Sequence, residues 1–446
     1  MSRPLFCAFT AFCLSVTLVL GVSQGAEEQP ASPVAQPKRV PLLKEAIPQT
    51  EVEATATADK LEREIPEDQR SESVRMLIAI ARGSEMAPTD GWFGPANSQF
   101  DFGTLVQRWG EPDKGAFSVE DLSDPIDLLS RLDRDKNGRI TGDDLDWSDE
   151  SPWVQQARIA NRVFRRLDRQ ADGTLTIEEW QEFFDKARGN ADSVSLEAFR
   201  DALISGRSAA SAPPSGSPPP SSQSGGTQPT DEPTMEILLK GLAAGEIGSL
   251  LEGPRSGEMA PDFTLPSLNG TGMTTLSQLV GEKPTVLIFG NYTCGPFRSS
   301  YPLVEPVIDR FRGRVNFLFV YVREAHPCNG WCMASNEFAG VHVEQPTDNA
   351  ARTTVAKTCM DLLKPTIPVV VDGVDDTVGN QYSAMPARLY VLDKTGRVTY
   401  QSGRGPFGFK VGEMEQALVL TLLDEITAPP QPENPIDSSE PAKPAK

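Results

Sequence analysis

Apolar runs alternate with amphipathic stretches through the second half of the chain, which is the pattern of buried strands joined by helices. The predicted strands are rich in β-branched and aromatic residues and cover 286–289, 315–322, 368–371, 388–392 and 398–400. Helical spacing predicts helices over 235–251, 297–311, 350–363 and 411–426. Since a βαβ unit is followed by a hairpin and a last helix, we expect an α/β domain here.

The first half of the chain carries helical periodicity instead. Residues 71–83 predict a capped helix closed by glycine. Two further helices are predicted to lead into acidic loops, with apolar residues at helical spacing: Ile126, Leu129 and Leu132 before the first loop, and Ile159, Val163, Phe164 and Leu167 before the second. We therefore expect an all-α domain in this half.

Shifts in composition mark the boundaries of these regions. A positive N-terminus, an apolar core and small residues at the start indicate a cleaved signal peptide, and hence a secreted, periplasmic or cell-envelope protein without a stable membrane span. Segments rich in Pro, Ser, Gly or Glu predict disorder, so we expect the two domains to be tethered rather than fused. The predicted order is signal peptide, disordered acidic leader, all-α domain, linker, α/β domain and disordered Pro-rich tail, over residues 1–26, 27–67, 68–206, 207–234, 235–427 and 428–446.

The formal net charge of -20 argues against nucleic acid or an anionic membrane surface as a partner, because both would repel the chain. Clustered aspartates point to cations instead. The first acidic loop places oxygen ligands at positions 1, 3, 5, 7 and 12 of a twelve-residue segment, namely Asp133, Asp135, Asn137, the carbonyl of Arg139, and Asp144. The second loop repeats the pattern with Asp168, Gln170, Asp172, Thr174 and Glu179.

These two loops resemble EF-hands, and their starts lie 35 residues apart, as in an EF-hand pair. The resemblance implies bound Ca²⁺. Asp144 replaces the usual glutamate and Gln170 is neutral, so we expect weak affinity, on the order of 10⁻⁵ to 10⁻³ M. The alternative is a pair of Asx-rich turns that hold no metal. Segments 115–121 and 192–199 echo the back half of such loops and are interpreted as structural partners or chance similarity.

Candidate redox chemistry centres on Cys294, which follows the predicted strand 286–289 at the start of a helix. The helix N-terminus favours thiolate over thiol, so we expect a reactive cysteine, although a buried structural cysteine is the alternative. The sequence Cys-Gly-Pro-Phe resembles the thioredoxin motif with Phe297 in place of the second cysteine. Pro302 and Pro386 match the thioredoxin prolines that kink this helix and, in cis, face the cysteine.

Four segments resemble iodothyronine deiodinases: 291–297, 321–331, 386–391 and 403–408. The resemblance covers most of 257–427 and implies that Cys294 stands where the family carries a selenocysteine nucleophile. It also implies roles for several neighbours. Glu324 and His326 would form an acid/base and substrate-gripping pair, and Thr293 would support the cysteine. Pro386 would contact the substrate, and Arg404 would help to hold its acidic group. Tyr292 and Ala387 depart from the family pattern.

Three further cysteines follow the signal peptide: Cys328, Cys332 and Cys359. Cys328 and Cys332 are candidates for a resolving role or a local structural disulfide, both preferred to a soft-metal site with His326, for which a fourth ligand is not visible. Cys359 lies on a predicted amphipathic helix, where it is either a core residue or another disulfide partner.

The sequence therefore predicts a calcium-binding, extracytoplasmic thiol oxidoreductase that reduces or dehalogenates a small aromatic substrate with an external thiol reductant. A peroxiredoxin-like peroxidase and a calcium-dependent scaffold with an inert redox domain are the alternatives. The peroxidase is disfavoured because Asn291 stands where peroxiredoxins carry threonine. A flexible linker argues against tight coupling between calcium and the redox site, and both a monomer and a homodimer remain open.

Overall fold

A computed structural model describes residues 48, 51–84, 95–168, 175–205 and 234–427 of the 446-residue chain. The predicted signal peptide, most of the linker, the tail and three positions of the second acidic loop, Gln170, Asp172 and Thr174, lie outside these ranges. Within the described residues, each helix falls short of the length and apolarity needed to cross a bilayer.

The N-terminal part is mainly helical. Its helices are α1 (Glu51–Glu64), α2 (Glu72–Ala81), α3 (Phe102–Trp109), α4 (Ile126–Leu132), α5 (Gly142–Leu145), α6 (Pro152–Leu167), α7 (Ile177–Arg188) and α8 (Leu196–Ser205). Its strands have two residues each: β1 (Asn97–Ser98), β2 (Phe117–Ser118) and β3 (Arg139–Ile140).

The C-terminal part alternates strands and helices as predicted. Its strands are β4 (Thr264–Pro266), β5 (Met273–Thr275), β6 (Thr285–Gly290), β7 (Asn316–Tyr321), β8 (Val369–Val371), β9 (Arg388–Leu392) and β10 (Val398–Gln401). Its helices are α9 (Met235–Ala244), α10 (Gly295–Ser300), α11 (Glu305–Phe311), α12 (Ala334–Phe338), α13 (Asn349–Leu363), α14 (Thr377–Gln381) and α15 (Val411–Thr427).

The strands form a mixed sheet in the order β1-β10-β9-β6-β7-β8. β6, β7 and β8 run parallel, whereas β9 and β10 are antiparallel to their neighbours. Three parallel strands beside an antiparallel hairpin give the thioredoxin-like α/β fold. Every residue of β6 is buried, and alternate side chains such as Val286 and Leu287 enter separate apolar clusters on the two faces of the sheet.

Two predicted helices differ from the observed ones. The helix expected over 297–311 is broken into α10, a 3₁₀ turn (Tyr301–Leu303) and α11, because Pro302 and Pro306 lack the N–H group that a continuous helix needs. The helix expected over 235–251 stops at Ala244, where Gly245 adopts a left-handed conformation that glycine favours.

The acidic leader contains a helix, so the prediction of disorder over the whole of 27–67 is wrong. Ala54 and Ala58 of α1, four residues apart, are fully buried and cluster with Ile78 and Ala81 of α2. Small residues at this spacing let the two helices approach closely, and the prediction missed this because alanine adds little to apolar periodicity.

The two parts of the chain pack together, so the expectation of tethered domains is also wrong. β1 adds an antiparallel strand beside β10 at the edge of the main sheet. The apolar side chains of α4 share one buried cluster with those of α15. Trp147 and Gln416 of α15 are joined by an indole N–H bond of 2.9 Å. The linker therefore joins regions that already share a core.

The first acidic loop pairs differently from the prediction. Its strand β3 pairs with β2, with Phe117 opposite Ile140 and Ser118 opposite Arg139. The predicted EF-hand partner of this loop was the second acidic loop, yet within the described residues the partner is the echo segment 115–121. That segment is therefore a structural partner rather than a chance similarity.

Candidate active site

Cys294 lies directly before α10, at the end of the loop that leaves β6. A side chain at Gly290 would collide with the Phe297 ring, with a Cβ to ring-carbon distance of 2.3 Å. Glycine at the strand end therefore lets Phe297 pack beneath the cysteine loop, among Tyr301, Phe319 and Phe409. The residue in place of the second thioredoxin cysteine is thus part of the core.

The cysteine loop is organised by Asn291, which is fully buried. Its Oδ1 accepts hydrogen bonds from the Cys294 N–H at 3.0 Å, the Thr293 hydroxyl at 3.2 Å and the Ala325 N–H at 3.3 Å. Its Nδ2 donates to the carbonyl oxygen of Pro386 at 2.9 Å. One carboxamide therefore fixes the cysteine, the segment that follows β7 and the proline loop relative to one another.

Glu324 lies behind the cysteine loop rather than in front of it. One carboxyl oxygen accepts the Thr293 N–H at 2.9 Å, and the other accepts the hydroxyl of Tyr321. The Tyr321 oxygen in turn accepts the Tyr292 N–H at 3.1 Å. Burial raises the pKa of Glu324, partly offset by the bonds from Tyr321 and Thr293. Glu324 is 1% exposed and, unlike Cys294, does not line the cavity in front of the loop, so its place in the structure is that of a loop-positioning residue.

His326 faces the cavity that contains Cys294, so the predicted acid/base pair is divided between two places. Its backbone N–H donates to the Thr293 hydroxyl at 3.0 Å, and its Nδ1 lies 3.3 Å from the carbonyl oxygen of Trp331. The Trp331 ring packs edge-on against the imidazole, with 4.6 Å between centroids. Of the two predicted partners, His326 is the one that can reach a ligand.

Burial of Cys294 opposes the thiolate that the helix N-terminus is expected to favour, and the reactive cysteine stays a prediction. Burial raises the pKa of Cys294 to about 11, against smaller lowering effects from the Phe297 N–H and the Arg298 guanidinium; the Glu324 charge raises it slightly. The Cys294 side chain is 1% exposed, and α10 has only six residues. Loss of water around the sulfur therefore outweighs the field of a short helix.

Pro386 is placed as predicted. The Met385–Pro386 peptide bond is cis, and both residues line the Cys294 cavity. The Gly405–Pro406 peptide bond is also cis, and both of its residues line the same cavity. This second cis bond was not predicted.

Arg404 does not line this cavity, which does not fit its predicted role in holding an acidic ligand group. It is fully buried and donates to the Glu72 carboxylate of α2 at 3.1 Å and to the Ser383 hydroxyl at 2.7 Å. Arg388 approaches the same carboxylate at 3.4 Å. Burial raises the pKa of Glu72, but the two guanidinium groups outweigh it and the net pKa is lowered. The Glu72 carboxylate therefore takes the position at Arg404 that an acidic ligand group was expected to take.

The described cysteines are all free thiols. Cys328 is exposed, Cys332 is partly buried and Cys359 is buried in the core, where burial raises its pKa well above the ordinary value. The predicted local disulfide between Cys328 and Cys332 is not formed in this structure, and neither sulfur lines the cavity.

The cavity in front of Cys294 has a volume of about 940 Å³. That is near the upper end of the roughly 300–1,000 Å³ typical of small-molecule sites. Its lining is predominantly apolar and aromatic, and includes Trp147, Trp153, Trp331, Phe407 and Phe409. The arrangement suits an aromatic ligand held against a sulfur atom.

The first acidic loop brings three carboxylates together. Ligand oxygens of Asp133, Asp135 and Asp144 lie within 4.8 Å of one another, and Asp133 and Asp144 are buried. Asn137 donates from its Nδ2 to Asp135 at 2.7 Å, and Arg139 lies in β3. Backbone N–H groups of the loop already donate to Asp133 and Asp144. Three carboxylates that converge in one short loop are nevertheless the kind of oxygen donor set that a hard divalent ion takes. In the second loop, Asp168 and Glu179 are both buried.

Sequence reasoning missed Asn291, Tyr321 and the tryptophans of the N-terminal part. Asn291 entered the sequence analysis through the family resemblance and as an argument against a peroxidase, although a buried carboxamide three residues before a candidate nucleophile needs several partners. Tyr321 ends a buried strand, where its hydroxyl also requires a partner. The sequence did not indicate that Trp147 lies at this site, because its hydrogen bonds to Gln416 and Lys410 join residues far apart in the chain.

A buried strand that delivers one cysteine to a helix start, in a cavity with a cis proline, defines a thioredoxin-like protein with a single-cysteine redox site. The sequence model of the iodothyronine deiodinase family matches residues 234–420. Thyroxine 5-deiodinase of Aquarana catesbeiana is 30% identical over 187 residues, which cover 42% of this chain and 67% of the relative. The chain therefore belongs to the iodothyronine deiodinase family.

Other relatives match over a smaller share of their length. Type I iodothyronine deiodinase of Xenopus laevis is 30% identical over 158 residues, or 35% of this chain and 60% of the relative. Thyroxine 5-deiodinase of Ovis aries is 30% identical over 152 residues, or 34% of this chain and 50% of the relative. The chain thus spans half to three-fifths of the length of these two enzymes.

Solved structures with a similar course of the chain include thiol-disulfide oxidoreductases. The thioredoxin domain of such a protein from Bacteroides vulgatus is 17% identical and covers 34% of this chain and 92% of its own, with a TM-score of 0.25. A secreted disulfide oxidoreductase of Mycobacterium tuberculosis is 14% identical and covers 35% and 95%, with a TM-score of 0.26. The thioredoxin-like assignment rests on the strand order described above.

Proposed function

We propose that this protein is a thiol-dependent oxidoreductase that removes halogen, in the first instance iodine, from an activated aromatic ring. The observation that carries the proposal is the cavity, in which the Cys294 sulfur shares an aromatic lining with His326 and Pro386. Membership in the deiodinase family supports the reaction class.

In the proposed reaction the Cys294 thiolate attacks iodine on the ring. The carbon–iodine bond breaks, a sulfur–iodine bond forms, and a proton takes the place of iodine on the carbon. His326 is the group in the cavity that can supply this proton. One equivalent of an external thiol then displaces iodide and forms a mixed disulfide, and a second equivalent releases Cys294 and leaves as a disulfide.

A raised thiol pKa makes the free protein a slow nucleophile at neutral pH. This observation favours a second candidate, a calcium-binding scaffold whose redox domain is inert. Dehalogenation then requires that the bound substrate favours loss of the Cys294 proton, for example to His326. The two candidates differ in whether any turnover depends on Cys294.

We also propose that the loop 133–144 binds calcium and that the chain works outside the cytoplasm. The converging carboxylates of Asp133, Asp135 and Asp144 support the first statement. The signal-like N-terminus, residues 1–26, supports the second statement. The two statements agree with each other, because calcium-rich extracellular fluid would fill a weak site.

The test is iodide release from iodinated phenols in excess dithiothreitol, with peroxide consumption measured in parallel. Wild type should release iodide, and Cys294→Ser should not. Peroxide consumption without iodide release would instead support a peroxidase. No Cys294-dependent turnover with either substrate would support the scaffold.

A further inference from the structure

The wall of the Cys294 cavity is not made by the thioredoxin-like part alone. Trp147, Trp153, Ala157 and Ala160 line it from the N-terminal part. These residues belong to α6 and the segment before it, and they lie outside the region matched by the family model, residues 234–420. This side of the cavity is therefore a feature of the present chain rather than of the matched region.

Several contacts hold this wall in place. The Trp147 indole packs on Gly412 of α15, where a Cβ would lie 2.5 Å from the ring. Its N–H donates to the Gln416 Oε1 at 2.9 Å, and the Gln416 Nε2 donates to the Asp144 carbonyl at 2.8 Å. The nitrogen of Lys410 donates to the Trp147 carbonyl. The position of Trp147 relative to the thioredoxin-like part is thus fixed by bonds from α15 and from the residue just before it.

A second tryptophan extends the wall. The rings of Trp147 and Trp153 meet edge to face with 5.3 Å between centroids, and the Arg134 guanidinium lies 4.9 Å and 4.5 Å from their respective centroids. Trp153 is still 38% exposed, although it is a large aromatic residue with a strong tendency to be buried. The accessible part of this side chain gives the cavity an apolar surface that the N-terminal part supplies.

Most of the charged side chains that line the cavity form ion pairs; among the described residues Glu246 is the exception. Arg310 forms a two-bond contact with Glu415, at 2.8 and 2.7 Å, and Arg158 pairs with Asp149. These pairs place little demand on a ligand for charge, whereas the aromatic lining favours rings. The volume exceeds what one benzene-sized ring would fill.

We propose that the N-terminal segment 147–161 forms the distal wall of the substrate cavity and contributes directly to ligand affinity, through an aromatic surface that the matched region 234–420 does not supply. An apolar ligand in the cavity would lie against Trp147 and Trp153 of this wall. This inference rests on the cavity of the proposed function but concerns how tightly it holds a ligand.

Binding of N-phenyl-1-naphthylamine, a neutral multi-ring fluorescent probe, tests the proposal in the full chain. Ala157→Trp places bulk in the cavity and should weaken binding by about tenfold or more. Ile159→Trp adds the same bulk on the same helix at an exposed position outside the cavity lining, and should leave affinity unchanged. Trp153→Ala, which removes part of the wall, should also weaken binding.

Bound probe should slow iodoacetamide labelling of Cys294, which locates it in this cavity. Equal affinity in wild type, Ala157→Trp and Trp153→Ala would overturn the proposal, as would an equal loss in Ile159→Trp. Cys294→Ser should bind the probe normally while losing iodide release. If the wild type shows no turnover while Ala157→Trp and Trp153→Ala weaken probe binding, the proposed function alone is refuted. If turnover is normal while these two variants bind the probe as the wild type does, the distal wall alone is refuted.

Discussion

Replacing Glu72 with glutamine should destabilise the fold strongly, because it removes the only carboxylate that the structure places against both Arg388 and Arg404 among the described residues. The carboxylate lies 3.1 and 3.4 Å from the two guanidinium groups, and all three side chains are less than a tenth exposed. At an effective dielectric constant of about 20, each contact is worth about 5 kcal/mol of gross attraction, opposed by the cost of desolvation.

Removing one partner of such a buried group typically costs about 3–5 kcal/mol, because the remaining charge stays buried. Glu72→Gln keeps the size of the side chain and one acceptor, so we expect a loss near the lower end. Urea unfolding at pH 7, followed by tryptophan fluorescence, measures it. The matched control is Glu236→Gln, which breaks an exposed pair with Lys240 and should leave the unfolding midpoint unchanged.

The pH dependence gives a second check. Since the folded pKa of Glu72 is lowered, its contribution is fully present above the unfolded pKa of about 4.3 and is lost as pH falls through the folded value. The difference between wild type and Glu72→Gln should therefore shrink in acid. A loss below about 1 kcal/mol at pH 7, or one equal to that of Glu236→Gln, would refute the account of this cluster.

Three further predictions concern the site. The rate of Cys294 alkylation should keep rising up to about pH 10 without a plateau, since burial raises the pKa of Cys294 to about 11. Arg298→Met should slow alkylation, whereas Arg312→Met, which removes an exposed ion pair with Asp309, should not. A plateau below the reference thiol pKa of about 8.5 would contradict this prediction. His326→Ala should lower iodide release by about 10²-fold or more while alkylation of Cys294 is unchanged, and an unaltered turnover would exclude it as the proton source. Calcium at 100 times its Kd should raise the free energy of unfolding by about 2.7 kcal/mol per site, and Asp135→Ala should remove the first loop's share; calcium without effect on wild-type melting would contradict the proposed site.

The sequence predicted the strands of the sheet well, because each is a short apolar run bounded by turn residues. The bounds of β9 agree at both ends, and the position of Cys294 between β6 and α10 followed from local pattern alone. Breaks within helices were harder: Pro302 was noted as a kink, yet its consequence for the whole of 297–311 was underestimated.

What the sequence could not predict depends on distant contacts. Contacts between residues far apart in the chain produce three of these features. They are the burial that raises the pKa of Cys294, the ion pair between Glu72 and Arg404, and the packing of Trp147 on α15. Resemblance to a family assigned Arg404 to a ligand, but an intramolecular carboxylate supplied by α2 takes that place. Local patterns carry no information on such pairings.

The most direct test of the central claim is a single turnover without any reducing thiol. The protein, in excess over an iodinated phenol, should form dehalogenated phenol in an amount equal to the substrate consumed. Water then converts the sulfur–iodine product to a sulfenic acid, so mass spectrometry should find one added oxygen on the Cys294 peptide. Dehalogenation that persists in Cys294→Ser, or product formed without an equal amount of modified Cys294, would contradict the account.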